Sequence, residues 1–337
     1  MDYSAANKQA QFQDVAVSGK EKVSHFNPRK NQEFPAVKFA GLRDRYFCLI
    51  AAPAFANCSA VSKILAGQSG EISLLPEAIQ LAPGQSWQGK FDIYLGPQDL
   101  RIISSIRPEW AAMVNFGAFD FIAQLLLQLL EFLNRIFHNL GIAIILLSIL
   151  VYLILYPLTL KQMRSMKEMQ VLQPQIEELR RAYKDNPQKL NKEIMELYKK
   201  HKVNPFGGCL PLFLQMPIFF ALYQALSRSI ALKGAAFLWI KDLSEPDRLF
   251  LLPNSLPLLG NEINILPIVM AIGMFVQQKF SMVATSGSSA EQQKMMLVIM
   301  PAMFGFIFYH MPSGLVLYWL INSLLTLFYQ FRISRAK

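Results

Sequence analysis

The chain has 337 residues, 53% of them hydrophobic and 17% charged, whereas an average soluble domain carries about 25% Asp, Glu, Lys and Arg. That balance excludes an ordinary soluble enzyme and intrinsic disorder and, with three cysteines, a disulfide-stapled scaffold. Net charge is +10, and its distribution is uneven: the first 110 residues hold 12 Lys/Arg and 10 Asp/Glu, while Met295 to Gln330 hold none of either. A water-soluble front part is therefore joined to a membrane-embedded part.

Residues 1–35 are polar and lack the apolar core of a signal peptide, so poor order is expected there. From 36 to 107, short apolar runs are broken by Pro and Gly. After the turn signal Pro83-Gly84, Trp87, Phe91, Ile93 and Leu95 alternate with Gln88, Lys90, Asp92 and Tyr94, which predicts part of an all-β domain. This segment carries no Gly-rich phosphate loop, nucleophile elbow or His cluster, hence no catalytic machinery. Cys48 and Cys58 either pair after export or pack unpaired, and Cys209 lies in an apolar run.

Within 108–139, the polar residues Asp120, Gln124, Gln128, Glu131, Arg135 and His138 recur at spacings of 4, 4, 3, 4 and 3. One polar stripe on an apolar helix predicts an interfacial amphipathic helix, the alternative being a core helix of the soluble part. The first span, 140–160, has 21 residues without a charge, enough to cross about 30 Å of hydrocarbon. The segment 161–203 reads as a helical hairpin: Met163, Met166, Met169, Leu172, Ile176, Leu179 and Tyr183 form one seam, and Leu190, Ile194, Leu197 and Tyr198 follow the turn at Asp185-Asn186-Pro187. Its methionines are either an adaptable surface for apolar partners or the hairpin's own seam.

Further spans are expected at 204–227, 263–280, 295–311 and 314–331, the last two cut from a 37-residue charge-free stretch by Met311-Pro312-Ser313-Gly314. Helices of 17 and 18 residues lie at the short end for a bilayer and predict local thinning. Eleven basic against six acidic residues between Lys161 and Lys202 place the hairpin in the cytoplasm. The loop 228–262 then falls outside, while the loop 281–294 and the basic tail 332–337 fall inside. A ribosomal RNA contact at the hairpin stays open, and nothing suggests DNA. The front part is placed outside although no export signal precedes it, so an N-terminal anchor upstream of Met1 is expected.

Among the five spans Asp, Glu and Arg are absent and the one Lys is Lys279, next to the end of 263–280, which argues against ion-coupled transport and intramembrane proteolysis. An enzyme is not expected, nor a cofactor or a metal. The spans carry instead uncharged hydrogen-bonding groups, among them Ser148, Tyr152, Gln215, Tyr318, Trp319 and Asn322. Singly, each reads as interhelical glue worth about 1 kcal/mol or less. Together they could line a moderately polar cavity.

Tyr156-Pro157-Leu158-Thr159, Leu172-Gln173-Pro174, Val203-Asn204-Pro205-Phe206-Gly207-Gly208-Cys209, Gln215-Met216-Pro217-Ile218-Phe219 and Pro312-Ser313-Gly314-Leu315-Val316-Leu317-Tyr318 together resemble the YidC family of bacterial membrane protein insertases. Leu81-Ala82-Pro83-Gly84-Gln85 and Tyr94-Leu95-Gly96-Pro97 are similar to the end of that family's periplasmic β-domain. The resemblance implies an α-helical polytopic membrane protein: a five-span insertase core with a cytoplasmic helical hairpin, preceded by a fragment of an all-β periplasmic domain, in the bacterial inner membrane. It implies a polar groove that is closed on the outer side and passes nascent membrane proteins into the lipid bilayer, alone or with the Sec translocon, with the ribosome as a further partner.

By position, the groove falls to Ser148, Tyr152, Gln215, Tyr318, Trp319 and Asn322. The lipid-side slide falls to Met216, Pro217, Phe219, Met300 and Phe304, and client entry to Met163, Met166, Met169 and Leu172 of the hairpin. The family pattern also implies an arginine four residues before the Tyr-Pro-Leu-Thr tyrosine, where this chain has Tyr152. A weaker preference for acidic client tails follows. The rival readings are an assembly factor without insertion activity and a small-solute channel.

Overall fold

The computed structural model describes residues 14–19, 22–26, 31–64, 70–184, 186–201, 203, 210–256, 260–281 and 288–335. They fall into two compact units, Met1–Gly117 with Ser227–Ala231 and Ala118–Leu226 with Leu232–Lys337. The motif residues Asn204 to Cys209 lie outside the described residues.

The first unit is a β-sandwich. One antiparallel sheet has the order β2-β1-β4-β5-β8, built from Asp14–Ser18 (β1), Val23–Phe26 (β2), Phe39–Arg43 (β4), Phe47–Pro53 (β5) and Phe91–Pro97 (β8). The other has the order β3-β6-β7, from Gln32–Phe34 (β3), Cys58–Ile64 (β6) and Gly70–Pro76 (β7). Val15, Val17, Val37, Ala40, Cys58 and Ala60 form the dry core, with Phe26, Phe34 and Ile72 packed against them. The segment expected to be poorly ordered therefore supplies three strands: Val15 and Val17 alternate at period two and bury fully. Arg43, itself buried, pairs with Asp14 and donates to the carbonyls of Met113 and Asn115, at 3.2 and 2.7 Å. This ties the sheet to the chain that leaves it.

Strand β8 alternates in the sense opposite to a buried face. Ile93 and Leu95 are 66% and 74% exposed, and Phe47 and Leu49 of β5 continue the apolar patch. Asp92 pairs with Arg107, and the Tyr94 hydroxyl donates to the Pro97 carbonyl at 2.8 Å. Cys48 and Cys58 are both buried and free, one in each sheet. Burial pushes the Cys48 thiol up to about 12, partly countered by the Arg43 charge, and raises Cys58 as well. After β8 come Leu100–Ile106 (α1), capped by the Asp99 carboxylate on the amides of Arg101 and Ile102, and a 3-10 turn at Pro108–Met113.

The second unit is helical: Asp120–Phe137 (α2), Leu140–Val171 (α3), Gln173–Ala182 (α4), Pro187–Lys200 (α5), Leu210–Arg228 (α6), Ile265–Ser281 (α7), Ser288–Phe308 (α8) and Ser313–Arg335 (α9). Helix α2 buries Ala123, Leu126, Leu130 and Leu133 and leaves Phe121, Leu125, Phe132 and Ile136 exposed, so it has an apolar face to spare beyond the one it packs. Helix α3 does not stop at residue 160 but runs on to Val171. The break falls at Leu172 because Pro174, in the first turn of α4, has no N–H to continue the ladder. Leu172, Ile176 and Val203 are buried against Met169, Ile194, Leu197 and Tyr198, so Met169 and Leu172 pack the hairpin seam. Met163 is also buried, and the Met166 side chain lies outside the described set.

Helix α8 begins at Ser288, inside the expected cytoplasmic loop, since Glu291, Gln292 and Gln293 are good helix formers by residue type. Among the described residues, Leu140–Met169 and Ser313–Arg332 are long and apolar enough to cross a membrane, while Ile265–Phe280 and Leu297–Phe308 are shorter apolar helices.

The segment between α6 and α7 is a built element. Strands Phe250–Leu256 (β9) and Gly260–Ile263 (β10) pair antiparallel. Asp247, 3% exposed, accepts from the amides of Ile265 and Leu266 at 2.9 and 3.0 Å and from the Trp239 indole at 3.2 Å, capping α7. Asn264, fully buried, donates to the Tyr309 carbonyl at 2.8 Å and accepts from the Arg248 amide at 2.9 Å. The Phe237 ring fills the space over Gly141, where a Cβ would approach it to 2.1 Å.

Two outcomes are expected. Asp247→Ala strands three donors and lowers stability by about 2 kcal/mol, read as a lower unfolding midpoint in detergent, with Asp247→Asn losing less. With Cys209 replaced by Ser, Cys48 and Cys58 react with maleimide at pH 8 at least ~10-fold more slowly in the native protein than after denaturation.

Candidate functional site

Helices α3, α6 and α9 meet along a seam of uncharged polar groups. On α9, Tyr318, Asn322 and Thr326 stack at intervals of four residues: the Asn322 amide donates to the Tyr318 carbonyl at 2.9 Å, and the Thr326 hydroxyl to the Asn322 carbonyl at 2.8 Å. From α6, Gln215 donates its side-chain amide to the Tyr318 hydroxyl at 2.9 Å. Tyr318 is fully buried, so this bond is a direct polar tie between two helices. From α3, Ser148 is fully buried and its hydroxyl turns back on the Ile144 carbonyl at 2.7 Å, the intrahelical choice such residues make without an outside partner.

Tyr152 continues the seam from α3. Its hydroxyl is buried and makes no hydrogen bond of good geometry, with Thr326 and Tyr329 of α9 beside it. Its ring lies 6.4 Å from that of Tyr156, which meets Tyr329 edge-on at 4.8 Å. Where the family pattern implies a cation, this chain places three tyrosines.

An apolar wall adjoins the polar one. Trp319, next in sequence to Tyr318, packs against Phe219 of α6 at 5.5 Å and against Phe304 and Phe308 of α8 at 5.6 and 5.3 Å. Trp319 thus stands in the aromatic cluster and not beside Gln215, since consecutive helical residues point about 100° apart. Met216 is exposed next to this wall, and Pro217 and Met300 are half-buried. The structure brings Tyr152, Gln215, Tyr318 and Asn322 onto one seam, and Phe219, Phe304 and Trp319 onto one wall. Met163, Met169 and Leu172 lie apart, in the hairpin and its stem.

Sequence reasoning missed Tyr156, Thr326, Tyr329 and Phe308. Tyr156 and Thr326 were within reach, because each stands four residues from a group already singled out, Tyr152 and Asn322. Asp247 and Asn264 were missed too, although Asn264 directly before an apolar helix has the signature of an N-terminal cap. Among the described residues no group of three or more His, Cys, Asp or Glu is placed to hold a metal ion.

Comparison with known proteins gives consistent matches. A family model described as 60Kd inner membrane protein matches residues 132–337, and one described as YidC periplasmic domain matches residues 3–129. The chain is similar to the membrane protein insertase YidC of Geobacter metallireducens, 39% identical over 310 residues that cover 91% of this chain and 54% of that protein. It is also similar to that of Syntrophobacter fumaroxidans, 41% identical over 278 residues, 82% of this chain and 49% of that protein. The chain thus spans about half the length of these curated relatives. A crystal structure of an active YidC insertase with its first transmembrane domain resolved has the same fold, at a TM-score of 0.52 and 23% identity, over 96% of this chain and 80% of that one.

The Gln215–Tyr318 tie is measurable. In a double-mutant cycle with Gln215→Leu and Tyr318→Phe, the coupling energy from unfolding in mild detergent is expected at about 1 kcal/mol. A value near zero would mean that the two side chains do not hold α6 to α9.

Proposed function

Because the chain belongs to the YidC family of membrane protein insertases, we propose that it passes hydrophobic segments of nascent membrane proteins from the cytoplasm into the lipid bilayer, alone or beside the Sec translocon. The observation that carries this reading is the junction at Tyr318 and Trp319, where a hydrogen-bonding seam and an aromatic wall share one helix. In the bacterial inner membrane the β-sandwich faces the periplasm, and the hairpin and the C-terminus face the cytoplasm. The basic hairpin receives clients and is the surface on which a ribosome would dock.

A client span of about 20 apolar residues gains about 6–12 kcal/mol on entering lipid, at 0.3–0.6 per residue. Each charged flanking residue costs about 2.5–3.5 kcal/mol at the centre, so the drive offsets two to four such charges and no nucleotide is needed. The neutral seam lowers that cost by offering hydrogen bonds and room for water to the flank while the apolar segment slides on Phe219, Phe304 and Trp319. Without a fixed cation, an acidic tail gains no Coulomb attraction over a neutral one.

Two measurements test this. Photo-crosslinkers placed at Asn322 and Trp319 should both reach a ribosome-stalled single-span client in native vesicles; no crosslink from correctly inserted protein would favour the assembly-factor reading. Tyr152→Arg should shift client preference toward acidic tails by about tenfold, equivalent to ~1.4 kcal/mol. An unchanged preference would remove Tyr152 from the specificity argument.

A further inference from the structure

Helices α7 and α8 enclose an apolar cleft of about 550 Å³ that belongs neither to the polar seam nor to the aromatic wall. Ile268, Ala271, Ile272 and Phe275 line one side, Ala302, Gly305 and Phe306 the other, and Ile263 and Tyr309 close its outer end. Gly305 sets the depth: a Cβ there would stand 3.1 Å from the Ala271 methyl, so the two helices touch at the floor and open outward. Ile268, Ile272 and Phe306 are exposed at the rim.

The occupant follows from dimensions and chemistry. A client helix about 10 Å across needs about 800 Å³ for 10 Å of its length, more than the cleft offers. From Ile268 to Phe275 the cleft runs along about 10 Å of helix, which fits inside one leaflet of a hydrocarbon core about 30 Å thick. Its outer mouth is polar: the Tyr309 hydroxyl donates to the Glu262 carbonyl at 2.7 Å, and Arg248 pairs with Glu262 at 2.9 Å. We propose that this cleft is a lipid site holding one acyl chain of an outer-leaflet phospholipid, with the headgroup at the Tyr309–Arg248 mouth. The site rests on the membrane placement given by the family reading. With two carboxylates, Glu245 and Glu262, facing one guanidinium at the mouth, the site selects for the chain and not for an anionic headgroup.

The test uses the full chain in vesicles of phosphatidylcholine bearing a mid-chain diazirine, irradiated and mapped by peptide mass spectrometry. Labelling at residues 268–275 and 302–309 is expected to exceed that at the exposed α3 residues Ile142 and Leu150 by about fivefold or more, a residence advantage of about 1 kcal/mol. Ala302→Phe, and separately Ala271→Phe, fill the cleft and should bring its labelling down to the α3 level while leaving α3 unchanged. Equal labelling in the unaltered protein, or cleft labelling undiminished in both variants, would overturn the proposal. Absence of label at the cleft and at Ile142 and Leu150 alike would instead overturn the membrane placement, and the lipid site with it.

Discussion

Asp247 accepts three hydrogen bonds at the head of α7, Asn264 bridges the Tyr309 carbonyl to the Arg248 amide, and the amides of Ser313 and Gly314 donate to the carbonyls of Glu245 and Leu243 at 2.8 and 2.9 Å. One buried knot thus fixes the start of α7, the end of α8 and the start of α9. Helix ends leave backbone groups without partners inside the helix, and a polar structure at these ends takes them. The segment between α6 and α7 is that structure. Phe237 over Gly141 extends its hold to the start of α3.

With these ends held, the middle of the unit can be polar without being charged. A carboxylate or guanidinium at that depth needs a partner or water; an amide or a phenol needs only one neighbour, and Gln215 supplies it to Tyr318. Tyr152, Tyr156 and Tyr329 give this seam apolar ring faces and polar hydroxyls. The adjoining cluster of Phe219, Phe304, Phe308 and Trp319 is aromatic throughout, with Phe308 buried and the other three half-buried.

Much of this was legible in the sequence because periodicity and charge report on the solvent around each face. The charge-free runs at 140–160 and 295–331, the stripe from Asp120 to His138 and the break at Pro312 all carry that signal, as does the hairpin seam. The misses have physical causes. Strand β1 lies in a segment whose composition is polar, yet the short run Val15-Ala16-Val17-Ser18 buries both faces of the strand, too few residues to mark a composition. Helix α3 runs through residue 160 because a helix does not respond to the membrane surface, only to a residue that breaks its ladder. The order along β8 reads as a buried apolar face, and periodicity cannot tell which face meets protein. The aromatic wall joins residues from three helices, and no local pattern reports on which spans are neighbours.

On the proposed insertase reading the seam opens to water from one side only, and side-resolved thiol accessibility at position 152 is the measurement to make. The measurement is made on Tyr152→Cys, with Cys48, Cys58 and Cys209 replaced by Ser, in sealed vesicles of known orientation. An impermeant maleimide should label position 152 when added to the cytoplasmic side and leave it unlabelled when added to the opposite side. Equal labelling from both sides would mean a pore through both leaflets, and no labelling from either side would mean a dry, purely structural helix contact. Either result would contradict the account.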